Sequence, residues 1–142
     1  VILLDTNVVS ALMRDPPEPA VVHWLDQQPA ESIWTTSITV FEVRMGLALL
    51  PDGRRQRTLQ ALFEELLTLD LAHRVLDFDS AAARQAAELA ARRQRAGRPV
   101  DMRDTQIAGI ALARRAAVAT RNLRHFADLD VPVHDPWTSA SG

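Results

Sequence analysis

Short unbroken apolar runs alternate along this chain with longer stretches in which apolar residues recur every three or four positions. The short runs predict strands at Val1–Leu4, Ser32–Thr36, Val75–Phe78, Ala117–Thr120 and Val131–His134, each closed by a polar or turn-forming residue. The periodic stretches predict helices between them. A brief one over Val8–Met13 is stopped by Asp-Pro-Pro, and Pro19–Gln28 carries Pro in its first turn, where a missing N–H is tolerated. Thr39–Leu50 and Arg54–Leu67 flank Pro51-Asp52-Gly53 and read as a helical hairpin. Asp79 or Ser80 caps an Ala- and Arg-rich helix reaching Ala96, with Gly97 suited to the turn beyond it, and a last helix spans Met102–Arg115. Strand, helix, strand in repetition predicts an α/β fold around a mostly parallel sheet.

Composition narrows what such a fold does. At 142 residues the chain reads as one domain over residues 1–137, with a flexible tail at 138–142, large enough to fold without staples. No cysteine is present, which excludes disulfides, thiolate catalysis and Cys-type metal sites. No apolar stretch approaches a membrane span and the start lacks the features of a signal peptide, so the expectation is a soluble, cytoplasmic protein without membrane contact. All 16 basic residues are Arg, and the net charge of −2 argues against coating nucleic acid with the whole surface. The densest basic run, Arg92–Arg98, reads as a solvated helix end.

Three carboxylates stand where carboxylates are uncomfortable. Asp5 ends the first apolar run, and strand interiors disfavour Asp, so it belongs where the strand leaves the sheet, the end at which open α/β sheets bind ligands. Glu42 interrupts a helix that is apolar almost all round and shares its wheel face with Ile38, Met45 and Leu49. If Asp101 caps the last helix, Asp104 falls in its first turn, on the stripe of Ile107, Ala108 and Ala111. Singly, each also fits a boundary or helix-start acid without chemistry. Together they suggest a cluster: at about 4 Å two such anions repel by roughly 4 kcal/mol at an effective dielectric near 20, so full ionisation calls for a cation. Oxygen ligands without Cys or paired His favour Mg²⁺ or Mn²⁺, whose natural chemistry is phosphoryl transfer.

With D-T-N after the first strand, S-I-T-V-F-E, R-D-T-Q-I-A-G-I-A-L-A and then T-R-N after the next strand, the chain resembles the PIN-domain family. More closely it is similar to VapC-type toxins of bacterial toxin–antitoxin pairs, and its ending V-P-V-H-D-P-W to their FitB-like branch. The resemblance implies a three-layer sandwich, a twisted, mostly parallel sheet with helices on both faces, and a Mg²⁺- or Mn²⁺-dependent endoribonuclease. It places catalytic, metal-holding acids at Asp5, Glu42 and Asp104, and supporting hydroxyls at Thr6 and Thr120. It also implies a homodimer held in check by a VapB- or FitA-like antitoxin that binds DNA and lays a segment in an apolar groove.

At the family's fourth acidic position the chain departs from the pattern, with Asn122 and His125 at the places where an acid is expected. A neutral amide at Asn122 can orient water but cannot balance a second cation, so one tight metal site is expected. Asp101 and Asp128 read as a cap and a surface acid. Arg103, Arg121 and Arg124 are candidates for RNA phosphate contacts or for balancing the carboxylates. The hairpin's surplus apolar residues, among them Leu47, Leu50, Leu62, Phe63 and Leu66, suit a partner helix, a second copy or the core. An alternative is a PIN-like binding module with weak catalysis, acting through its DNA-binding partner. A phosphatase using an aspartyl nucleophile is disfavoured, since Asn7 replaces the second Asp it needs.

Overall fold

The first strand, β1 (Ile2–Leu4), lies at the centre of a five-stranded sheet in which β2 (Ile33–Thr36) and β4 (Ala117–Ala119) flank it. β3 (Val75–Leu76) and β5 (Val133–His134) form the edges, giving the order β3-β2-β1-β4-β5 with every pairing parallel. The computed structural model describes residues 1–138, and most of the expected tail lies outside them. Helices α1 (Thr6–Leu12), α2 (Pro19–Asp26), α3 (Ser37–Ala48), α4 (Arg54–Glu65), α5 (Ser80–Arg95), α6 (Met102–Arg114) and α7 (Leu123–Phe126) connect the strands.

Because side chains alternate across a strand, the sheet feeds two cores. Leu4, Ile33 and Ala119 pack with Val8, Val43, Leu47 and Phe63 of α1, α3 and α4. Leu3 and Val118 face the other way, against Leu89, Ile107, Ile110 and Phe126 of α5, α6 and α7. Helices therefore cover both faces, as the three-layer expectation required. No helix among the described residues is long and apolar enough to cross a membrane.

Several boundaries differ from the sequence reading. α1 begins at Thr6 rather than Val8, because the Asp5 carboxylate accepts from the Thr6 N–H at 2.8 Å and caps the helix. β3 stops at Leu76 instead of reaching Phe78, whose N–H donates to the Ser37 hydroxyl rather than to a strand. β5 holds only Val133 and His134. After Glu65 the chain widens into one turn over Leu66–Asp70, where the Leu71 N–H reaches the Leu66 carbonyl. The four-residue α7 has no counterpart in the apolar pattern, being too short for a helical period to show.

α5 and α6 pack closely at Gly109. A Cβ there would come within 2.6 Å of the Ala82 carbonyl oxygen and the Ala86 Cβ. Arg93, counted with the solvated basic run, is 4% exposed instead. Its guanidinium makes a bidentate pair with Asp128, whose carboxyl it holds below the usual range. Asp128, its side chain 49% exposed, is the surface acid expected and pairs with the buried arginine.

Candidate functional site

β1 and β4 run side by side, and the chain turns to opposite sides of β1 to build the two halves of the sheet. Their carboxyl ends therefore open at a topological switch point, where open α/β sheets bind ligands. Asp5 leaves β1 there and Thr120 leaves β4 there. Asp5 is 1% exposed, and both of its oxygens are engaged: Oδ1 accepts from the Thr6 N–H, Oδ2 from the Thr120 hydroxyl at 2.7 Å and the Asn7 amide at 3.2 Å. Thr120 in turn accepts from the Asn122 N–H at 2.9 Å, and Asn7 Oδ1 accepts from the Arg121 N–H at 3.0 Å. All three residues of D-T-N thus have assignments, although the sequence reading gave Asn7 none.

Burial pushes the Asp5 carboxyl up to about 6, against the pull of the Thr120 hydrogen bond; the negative charges of Asp104 and Glu42 add to the rise. Asp5 thus feels both other acids. Glu42 reaches it through Thr6, whose hydroxyl donates to Glu42 Oε1 at 2.8 Å. The Thr39 hydroxyl lies 3.2 Å behind Thr6. One hydroxyl carries one proton, so Thr39 donates to Thr6 and completes a relay ending on Glu42.

The face of α3 that carries Glu42 differs from the expected one. The buried stripe is Thr39, Val43 and Leu47, while Met45 and Leu49 are 39% and 78% exposed. A helix apolar all round offers no preferred side on its wheel, and the polar Thr39 hides the true stripe. Glu42 borders that stripe with its side chain 17% exposed, close enough to reach the sheet end. The hairpin's apolar surplus also shrinks: Leu47, Phe63 and Leu66 are core, Leu50 is half-buried and Leu62 is partly exposed.

Asp101 caps α6 as expected, accepting from the Arg103 N–H at 2.9 Å. Asp104 follows in the first turn, 8% exposed, beside the fully buried Ile107, Ala108 and Ala111. Its Oδ2 is engaged by His125 Nδ1, which donates because an ionised carboxylate only accepts. His125, which stands at an expected acidic position, thus serves as a partner of an acid. Asn122 is exposed, and its side-chain amide makes no hydrogen bond among the described residues.

The three arginines have different surroundings. Arg103 lies 3.5 Å from Glu42 Oε2 and 3.9 Å from Asp101, and so balances the acids. Arg121 stacks over the Trp137 ring at 4.8 Å. Arg124 is exposed on α7.

The donor chemistry is that of a hard cation: carboxylates and hydroxyls, with one imidazole held against an acid. Among the described residues no three acidic or histidine groups close on one point as they stand. Each carboxylate is instead turned to a donor of its own, as repelling anions will be: Asp5 to Thr120, Glu42 to Thr6, Asp104 to His125. From Thr6 and Glu42 a groove of about 1190 Å³ runs away from the sheet, lined by apolar residues such as Leu12, Leu47, Leu59 and Leu62.

Residues 2–132 match the sequence profile of the PIN domain. The chain is 43% identical to the plasmid stability protein StbB of Pseudomonas syringae pv. tomato, over 96% of this chain and 98% of that one. It is 39% identical to a VapC ribonuclease of Sinorhizobium fredii, over 98% and 99% of the two chains. Its fold superposes on the structure of FitAB bound to a DNA fragment with a TM-score of 0.87 and 36% identity, covering 96% of each chain. The profile match spans the switch point, the acids and the groove alike, and the chain belongs to the PIN-domain family, in its VapC-type, FitB-like branch.

Proposed function

We propose that the protein is a divalent-metal-dependent endoribonuclease acting as the toxin of a toxin–antitoxin pair. The observation that carries this reading is the placement of Asp5, Glu42 and Asp104 around the carboxyl ends of β1 and β4, with Asp5 buried among hydrogen-bond donors, Glu42 tied to it through Thr6, and both other charges adding to the rise of its carboxyl. The 39% identity to a protein named as a ribonuclease supports it. Asp5, Glu42 and Asp104 are the residues to hold Mg²⁺ or Mn²⁺, which when bound polarises a phosphodiester and eases ionisation of water.

The chain's own groups do the positioning. Thr120 and Asn7 fix Asp5, and the Thr39–Thr6 relay fixes Glu42. Arg103 is a neighbour for phosphate as well as a balance for Glu42, and Arg121 and Arg124 are exposed on the segment that follows β4. The groove beside Thr6 and Glu42 takes an apolar segment of an antitoxin, in line with the FitAB complex on DNA. A segment seated there ends next to Glu42, where it blocks access to the acids.

Asp5→Asn, Glu42→Gln and Asp104→Asn, each purified free of partner, are expected to lose cleavage of structured RNA in Mn²⁺ by at least a hundredfold with far-ultraviolet circular dichroism unchanged, on the order of what loss of an electrostatic group costs. Undiminished cleavage by two of the three overturns the site. Wild-type protein that leaves RNA intact in both Mg²⁺ and Mn²⁺ while still binding its partner favours the alternative of a binding module.

A further inference from the structure

Arg93 belongs by sequence to the run Arg92–Arg98, yet it is withdrawn from solvent, and two of its guanidinium contacts reach residues on either side of Asp104. Nε and Nη2 donate to the two oxygens of Asp128 at 2.9 and 2.7 Å. Nη2 also donates to the His125 carbonyl at 2.7 Å, and Nη1 to the Thr105 hydroxyl at 3.0 Å. Thr105 is the residue after Asp104, and His125 holds the Asp104 carboxylate by its ring. One guanidinium on α5 thus grips both elements that decide where the Asp104 carboxylate points.

The need for such a grip is local. α7 has four residues and no side-chain cap, so its own hydrogen bonds fix His125 weakly. Phe126 anchors the segment from the apolar side, and Arg93 is the polar anchor opposite it. A planar fork presenting two parallel N–H groups to Asp128 leaves the remaining N–H groups directed at fixed angles, a job a lysine does not reproduce. We propose that Arg93 is a positioning residue for Asp104: with Asp128 it fixes the main chain of His125 against Thr105, so that the imidazole holds one carboxylate oxygen and leaves the other for the metal. The proposal rests on Asp104 being a metal-holding acid.

The test measures Mn²⁺ affinity, by the signal of free Mn²⁺ in electron paramagnetic resonance, for wild type, Arg93→Met, Arg93→Lys, Asp128→Asn and Asp104→Asn. Melting in EDTA is followed for each. Methionine fills a similar volume and Asp128, with its side chain 49% exposed, returns to water, so Arg93→Met is expected to stay folded. Its Mn²⁺ affinity is expected to fall roughly tenfold, the scale on which partners of metal ligands act. Arg93→Lys is expected to recover only part of the loss, and Asp128→Asn, which retains the arginine and one acceptor, to weaken binding about threefold on the same reasoning. In nuclear magnetic resonance a hydrogen-bonded Nδ1 proton of His125 is expected in wild type and is expected to be lost in Arg93→Met, a change that looser packing elsewhere does not produce.

Wild-type Mn²⁺ affinity in both Arg93→Met and Asp128→Asn overturns the proposal, and if Arg93→Met fails to fold, Asp128→Asn decides alone. A different failure belongs to the underlying site. If Asp104→Asn binds Mn²⁺ as tightly as wild type, or wild type binds none, the assignment of Asp104 falls and the clamp with it.

Discussion

At the scale of the residue, the behaviour of Asp5 follows from where its strand ends. The carboxyl is buried and is raised to about 6 in the folded chain from an ordinary value of 3.8. Between those limits the folded state holds the proton more tightly than the unfolded chain. Ionised Asp5 therefore destabilises the metal-free fold fully above pH 6, by on the order of 2–3 kcal/mol, and this penalty fades as pH falls toward 4. Asp5→Asn lacks the titration. In EDTA the melting temperature of wild type is expected to gain on that of Asp5→Asn as pH is lowered from 7 to 4; a constant difference would show an ordinary carboxyl. Asp5, Glu42 and Asp104 stand out in the sequence because a polar residue interrupting an apolar run is conspicuous, whereas Thr6 and Thr120 enter only through the family resemblance. Arg93 was not: inside a run of arginines nothing marks the one that turns inward, and its partners lie on elements far along the chain.

At the scale of the element, α5 and α6 stand closer than side chains usually permit because Gly109 offers no Cβ to the Ala82 carbonyl. Gly109→Ala raises intrinsic helix propensity and on an exposed helix would stabilise. Here the added methyl meets backbone that cannot yield without shifting α6, so the variant is expected to be destabilised by about 1–3 kcal/mol in urea unfolding. A stabilised variant would mean that the two helices slide apart freely. The same elements show what periodicity conveys. α5 and α6 alternate polar and small apolar positions and were placed to within a residue or two, whereas α3, apolar on all sides, was placed in sequence but rotated on its axis. β3 and β5 hold two residues each, too few for an alternation to define their ends.

At the scale of the whole molecule, the order β3-β2-β1-β4-β5 sets the first strand of the chain between an early neighbour and a late one. β1 can pair with β2 once residue 36 is made, but its other edge waits for β4 at residues 117–119. Parallel pairing over such separation is formed only after a long loop closes. A chain ending at residue 116 is expected to keep helical circular dichroism yet to melt without a cooperative transition and to leave structured RNA uncleaved in Mn²⁺. Cooperative melting of that fragment would mean that β1 to β3 and their helices are self-sufficient. The bond from the Thr120 hydroxyl to Asp5 ties the fifth residue to one 115 positions later. During synthesis, then, the Asp5 carboxylate remains unplaced until Thr120, 115 residues later, has followed. A growing chain on the ribosome carries Asp5, Glu42 and Asp104 as scattered residues and gives Asp5 its place only as β4 joins β1 in the sheet.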